Sequence, residues 1–207
     1  MKCLFILLLV CQCLHAQPEI NLKDKEGRKQ GLWLKYWDES KSALQYKGAF
    51  IDDLPVGQFW YYYPKGEIRA IIEHVNARRS YVSYYFENKE VMSEGMYIDQ
   101  KRDSIWINYN QQGLTVSMEK YRKGKLNGKK VMFYLQNQIE QGETRMLSET
   151  YYVDSLKSGS YREFFSSGNI KLMGQFELGL PAGIWRKYNT KEQQIQSYHY
   201  KNGLKHG

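Results

Sequence analysis

The sequence predicts an all-β fold, an elongated antiparallel array of β-hairpins about seven repeats long. Three observations carry that expectation. One template recurs along the chain, clearest in Phe176-Glu-Leu-Gly179-Leu-Pro-Ala-Gly183-Ile-Trp185-Arg-Lys-Tyr188. It reads as an aromatic, a glycine three residues on, an anchor glycine four further, then aromatics two and five residues past the anchor. The anchors keep a short, nearly fixed spacing, which is the mark of a repeat architecture. Glycine also returns too often, and the tyrosines too irregularly for a 3.6-residue period, to allow amphipathic helices.

Taken in order, the anchors are Gly31, Gly57, Arg79, Ser104, Gly128, Gly159 and Gly183, spaced 26, 22, 25, 24, 31 and 24 residues apart. Two residues after them stand Trp33, Phe59, Tyr81, Trp106, Lys130, Tyr161 and Trp185. Five residues after them stand Tyr36, Tyr62, Tyr84, Tyr109, Phe133, Phe164 and Tyr188, all aromatic. Such runs suit a pleated, half-buried surface. Each is followed by a turn signal (Pro64-Lys-Gly66, Glu87-Asn88, Gln112-Gly113, Ser167-Gly168) and a second short strand. The first-half glycine then supplies the positive φ of a tight hairpin. Asp53 can stand in for it, whereas Val75 cannot, so a differently built turn is expected between the second and third units. Seven hairpins imply about fourteen strands. The segment Leu135–Met146 lengthens the fifth unit and reads as a long hairpin tip. The aromatics at plus two and plus five have opposite strand parity, so either a bulge lies between them or both faces carry rings.

Residues 1–16 read as a secretory signal peptide: Lys2, the apolar run Leu4–Val10, and Leu14-His-Ala16 before Gln17. The run is too short to span a membrane. The chain from 17 to 207 then forms one β-repeat domain, exported to the periplasm, the outer membrane or the exterior. Cys3, Cys11 and Cys13 all lie in the leader, which leaves no disulfide framework, thiolate metal site or cysteine nucleophile beyond it. Lipidation at Cys11 or Cys13 is the alternative to cleavage.

The pattern Tyr-x-x-Gly-x-x-x-Gly-x-Trp, from about Asp24 to Gly207, resembles the MORN repeat (membrane occupation and recognition nexus). The form with Gly-x-Trp-x-x-Tyr-Tyr is similar to the bacterial variants often labelled toxin–antitoxin antitoxins. That resemblance implies a β-hairpin meander and a non-catalytic binding or assembly role, with phospholipid contact in some members and protein contact in others.

No catalytic signature accompanies the repeats. His74, His199 and His206 read as exposed strand or turn residues, and the serines sit in turns without a nucleophile elbow. Carboxylates are scattered about one per unit, and no phosphate-cradling loop is present. The expectation is a protein that is not an enzyme and needs no cofactor or metal. Charge offers a functional hint. Removing Lys2 from 30 basic residues leaves 29 against 22 acids, or +7. The residues just before the anchors include Arg28, Lys29, Arg78, Lys101, Arg102, Lys125, Lys157 and Lys205. Stacked along one edge they would form a basic rail for an acidic protein, anionic lipid or envelope polysaccharide, or serve only to keep the edge soluble. Nucleic acid is not expected as the partner of an exported chain. The last strand, about Ser197 to Lys201, is expected to be an unpaired edge open to a partner strand or a second copy. Three roles follow: a protein-binding scaffold at the envelope, a peripheral binder of anionic surfaces, and an antitoxin-type inhibitor.

Overall fold

The computed structural model describes residues 19–135 and 145–206. The leader, most of the long tip at 135–146 and Gly207 lie outside the described residues. Within them the chain forms one open antiparallel sheet of 16 strands in sequence order. These are β1 (Leu22–Lys23), β2 (Lys29–Tyr36), β3 (Leu44–Ile51), β4 (Leu54–Tyr62), β5 (Ile68–His74), β6 (Arg79–Tyr85), β7 (Val91–Ile98) and β8 (Lys101–Tyr109). They continue as β9 (Thr115–Arg122), β10 (Lys125–Phe133), β11 (Met146–Val153), β12 (Leu156–Phe164), β13 (Ile170–Glu177), β14 (Leu180–Tyr188), β15 (Gln194–Lys201) and β16 (Leu204–His206). At roughly 4.8 Å per strand the sheet runs about 70 Å. No helix among the described residues is long and apolar enough to cross a membrane.

Two turn chemistries alternate, one along each edge. On the edge preceding the anchors, six hairpins close through two residues that both have positive φ, such as Asp52-Asp53 (51° and 65°) and Leu178-Gly179 (47° and 88°). That is the turn whose twist matches paired strands. The expected exception falls between β5 and β6, where Val75–Arg78 make a longer loop. There Val75 N and Asn76 N both donate to Arg79 O, and Asn76 Oδ1 accepts from Arg78 N and Arg79 N. On the other edge the turns within the described residues carry one left-handed residue each, for example Gly66, Gly113 and Gly168.

The anchors have a second function. Gly31, Gly57, Ser104, Gly128, Gly159 and Gly183 all take positive φ. From Gly57 onward they open a two-residue bulge: Ala49 pairs with Val56, and pairing resumes at Lys47 with Trp60. The bulge brings the plus-two residue opposite the middle of the preceding strand. The residues so opposed are complementary in size: the Phe59, Trp106 and Trp185 rings lie against Gly48, Gly95 and Gly174, and Thr150 pairs with Tyr161. Phe59, Trp106 and Trp185 are buried. A Cβ on Gly48, Gly95 or Gly174 would overlap the ring lying on it.

The third unit is out of phase. The β5–β6 ladder has no bulge, so Ile72 faces Val82, and Val82, fully buried, takes the ring's place. Tyr81 therefore lies on the opposite face, near Glu94, which accepts a 2.7 Å hydrogen bond from Tyr109. The fifth unit replaces the ring differently, with Lys130 opposite Glu119 at 2.7 Å.

Both faces carry aromatics. Phe59 stacks with Tyr61 on the front face, while Tyr62 alternates to the back. The register shift near each plus-five residue comes from an extra residue on the partner strand, such as Arg69 opposite Tyr61 and Tyr62. The expected free edge at Ser197–Lys201 is corrected as well. β15 is paired on both sides, its second partner being β16 through His199–His206, Tyr200–Lys205 and Lys201–Leu204.

Candidate functional site

The edge bearing the two-residue turns gathers all eight basic residues singled out in the sequence. Successive turns are tied together: Asp53 N donates to Lys29 O, Asp99 N to Arg78 O, Gly124 N to Arg102 O, Ser155 N to Leu126 O and Gly179 N to Lys157 O. The charges do not form one rail, however. Strand alternation divides them into two rows on opposite faces.

Residues two before an anchor point to the front face and lie over rings. Lys29 Nζ is 4.6 Å from the Phe50 centroid and 4.8 Å from Trp33. Arg102 stacks 4.2 Å over Trp106, Lys157 lies 4.7 Å over Phe176 and Lys205 lies 4.1 Å over Tyr198. Their methylene stems cover apolar surface while the charge meets the ring faces. The remaining four stand at the turns, and three of them meet carboxylates. Arg28 pairs with Asp24 at 2.8 Å and Asp52 at 3.2 Å. Arg78 makes two 2.7 Å bonds to Asp99, and the side-chain bonds from Arg78 hold the Asp99 carboxyl below the usual carboxylate range. Lys125 is 3.9 Å from Asp154. The turn acids Asp52, Asp53, Asp99 and Asp154, which suit left-handed turn positions, thus neutralise much of the edge.

One stretch is not neutralised. On the back face, across β7–β10, a groove of about 770 Å³ is lined by Arg78, Lys101, Lys120, Arg122 and Lys123 together with Asp99 and Asp103. Among the described residues Lys101, Lys120, Arg122 and Lys123 have no carboxylate at ion-pairing distance. Asp103 Oδ2 is occupied by the Lys123 amide at 3.0 Å. Two glycines shape the floor. The Lys101 stem lies against Gly124, and a Cβ on Gly128, at φ +116°, would come within 2.8 Å of the Lys120 stem. The anchor-based reading found Arg78 and Lys101 but missed Lys120, Arg122 and Lys123. Their signal was the run Lys120-Tyr-Arg-Lys-Gly-Lys125, whose alternation sends Lys120 and Arg122 to one face.

His199 and His206 are exposed strand residues, as expected, and His74 is the exception. His74 is half-buried: its ring stands perpendicular to Phe59 at 5.1 Å, and Nδ1 shares a 2.9 Å hydrogen bond with the Ser80 hydroxyl. Burial lowers its pKa, so the imidazole is neutral at neutral pH. His199 and His206 face each other on paired strands with ring centroids 6.4 Å apart. Among the described residues no three His, Cys, Asp or Glu side chains are grouped to hold a metal.

Among the described residues two carboxylates are buried, and they sit on opposite faces. Glu119, on the front, accepts from Tyr121 at 2.8 Å and pairs with Lys130. Burial opposes its ionisation, but those bonds outweigh burial and hold the carboxyl below the usual range. Glu149, on the back, is bound by Lys129 at 2.8 Å and by Arg162. Neither has a second carboxylate converging on it, and each is already matched by cations. No protein-family model matches this chain, and no curated protein matches it.

Proposed function

We propose that this chain is an exported, non-catalytic binding and assembly module of MORN type, which recognises an acidic protein partner at the cell envelope. One observation supports the reading above the rest. Along an edge where Arg28, Arg78 and Lys125 meet carboxylates and Lys29, Arg102, Lys157 and Lys205 lie over rings, four cations without an ion-pair partner among the described residues line a single groove. An unpaired cluster of this kind steers and orients an acidic segment, and like charges held together without a partner gain most from an incoming anion. The groove is concave.

Titration of the purified protein with a hexaglutamate peptide tests this. Saturable binding is expected at low salt, weakening sharply at about 0.3 M NaCl, where the Debye length is roughly 6 Å. The Lys120→Glu/Arg122→Glu double variant is expected to lose it. Equal binding by wild type and double variant would overturn the reading.

A second reading, docking on an anionic lipid or polysaccharide surface, draws support from exposed leucines on the same edge, Leu156, Leu178, Leu180 and Leu204. Salt-dependent retention on phosphatidylglycerol vesicles, with no hexaglutamate binding, is the outcome that would favour it.

A further inference from the structure

The loop at Val75–Arg78 does more than shift the third unit out of phase. Its Val75 and Asn76 amides donate to Arg79 O and its Arg78 amide to Asn76 Oδ1. Among the described residues, no backbone bond ties it to the preceding Asp52-Asp53 turn, unlike the five tied junctions along this edge. A gap of about 580 Å³ is left between them. The β4 side contributes Leu54 and Pro55, the β5 side Ile72 and His74, and the far wall Ser80 and Tyr97. At three other junctions a cation two residues before the anchor lies over the ring that follows: Lys29 over Phe50, Arg102 over Tyr121 and Lys157 over Phe176. Here that position is Pro55, and the ring position is His74, so no cation covers the gap. His74 lines the gap, and its Nε2 is buried in the wall without a hydrogen-bond partner. The walls offer the aliphatic and ring surfaces of Leu54, Pro55, Ile72 and Tyr97, with Asp53, Arg78, Ser80 and Gln100 at the remaining sides, in a molecule that repeatedly packs ring on ring, as Phe50 on Phe59 and Tyr97 on Trp106, both at 5.1 Å.

Arg78 lines this gap and the cationic groove alike. The two openings lie at the same edge, the groove on the back face and the gap toward the front, with the Val75–Arg78 loop between them. A single peptide segment draped over that loop reaches both. We infer that the gap is a socket for an aromatic side chain of the same acidic segment that fills the groove. This inference rests on the acidic-partner reading and extends it to the partner's sequence: an aromatic residue beside a run of carboxylates. Anchor residues that fill pockets carry much of the energy of such contacts, while surrounding charges fix orientation.

The test compares three synthetic probes on the purified protein: hexaglutamate extended by one phenylalanine at the N-terminus, the same with phenylalanine at the C-terminus, and the alanine-extended control. At least one phenylalanine peptide is expected to bind about tenfold more tightly than the control, the gain from burying one ring. In Ala77→Trp, where an indole on the exposed loop residue blocks the mouth, that ratio is expected to fall to about one. Should the variant fold poorly, NMR on the wild type decides the matter. The phenylalanine peptide is expected to move the His74 imidazole signals, and the alanine control is not. Equal affinities for all three probes, or unmoved His74 signals, would overturn the socket while leaving the acidic-partner reading in place. Absence of binding by all three would remove both.

Discussion

At β3–β4, β7–β8 and β13–β14 a ring rests on a glycine of the neighbouring strand. At β9–β10 the equivalent place holds Lys130 against Glu119. Both arrangements occupy the same bulged position on the front face, and both satisfy the same steric demand for one small and one large partner, or two of intermediate reach. Their physics differs. Ring on glycine gains from area removed from water and from close contact, it tolerates no added atom, and it does not depend on pH. The ion pair gives up solvation of two charges and recovers it only through good geometry and the extra bond from Tyr121. Next to it, on the back face, Glu149 with Lys129 and Arg162 repeats the charged solution. The middle of the sheet is therefore polar where its flanks are aromatic, and the unpaired cations of the groove adjoin this polar stretch.

The comparison can be broken most forcefully at the glycines. Gly95 has ordinary strand φ, so an alanine there meets no backbone penalty, only the Trp106 ring. Gly95→Ala is expected to cost about 3 kcal/mol through overpacking, read as a lowered urea midpoint by tryptophan fluorescence. A near-neutral result would mean that the ring does not rest on the glycine.

In the middle, Lys130→Met removes one charge and leaves Glu119 buried with Tyr121 as its remaining partner. The expected loss is about 2 kcal/mol, below the usual cost for a fully buried pair because Lys130 keeps some water contact. The double change Glu119→Gly/Lys130→Trp installs the flanking solution and is expected to recover that loss. If the double variant is no better than Lys130→Met, the two arrangements are not interchangeable and the fifth unit has a constraint of its own.

Acid sharpens the same contrast with a smaller effect. Glu119 and Glu149 both have folded-state pKa values lowered from the ordinary carboxylate value. A lowered folded pKa contributes stability that is full above the unfolded value, about 4.3, and is lost as pH falls through the folded one. Urea midpoints are expected to hold from neutral pH down to about 5 and to drop below about 4.3. The Glu119→Gly/Lys130→Trp variant should show a shallower drop. An equal drop in both would place the acid-sensitive carboxylates elsewhere.

Much of this was legible in the sequence, and the reasons are specific. Strand order followed from the spacing of glycines and rings, because each positive-φ turn needs a residue that tolerates it and each strand a ring to bury. Asp53 and Val75 behaved as their side chains demand. What escaped was information that depends on pairing across strands. Gly48, Gly95 and Gly174 have unremarkable φ, so nothing local marks them; only the bulge at the next anchor sets a ring on top. Tyr81 matched the template by count but lost its place, because the longer loop replaces a turn and a bulge together and moves the buried position to Val82. The basic residues were found, but alternation sends neighbours such as Lys101 and Arg102 to opposite faces, and the turn aspartates were not weighed against them. Lys120 and Arg122 stand outside the anchor pattern, on the strand before the anchor that closes the groove.

Two anchors isolate the backbone contribution from crowding. A Cβ at Gly57, φ +66°, would meet nothing within 4 Å, so Gly57→Ala is expected to cost about 1 kcal/mol purely from the left-handed backbone. Ser104 is the reverse case, a serine held at φ +61° where the other bulged anchors are glycines. Ser104→Gly relieves a strain of about 1 kcal/mol but returns roughly half of it as extra freedom of the unfolded chain. It also gives up an exposed 3.3 Å bond to Asp103, which contributes little in water. The net gain should be about 0.5 kcal/mol, seen as a raised urea midpoint at unchanged slope. Because Trp106 follows two residues later, a loss instead of a gain would mean that the serine helps aim the buried indole, and the bulge at this unit would then be specified by its side chain as well as by its backbone.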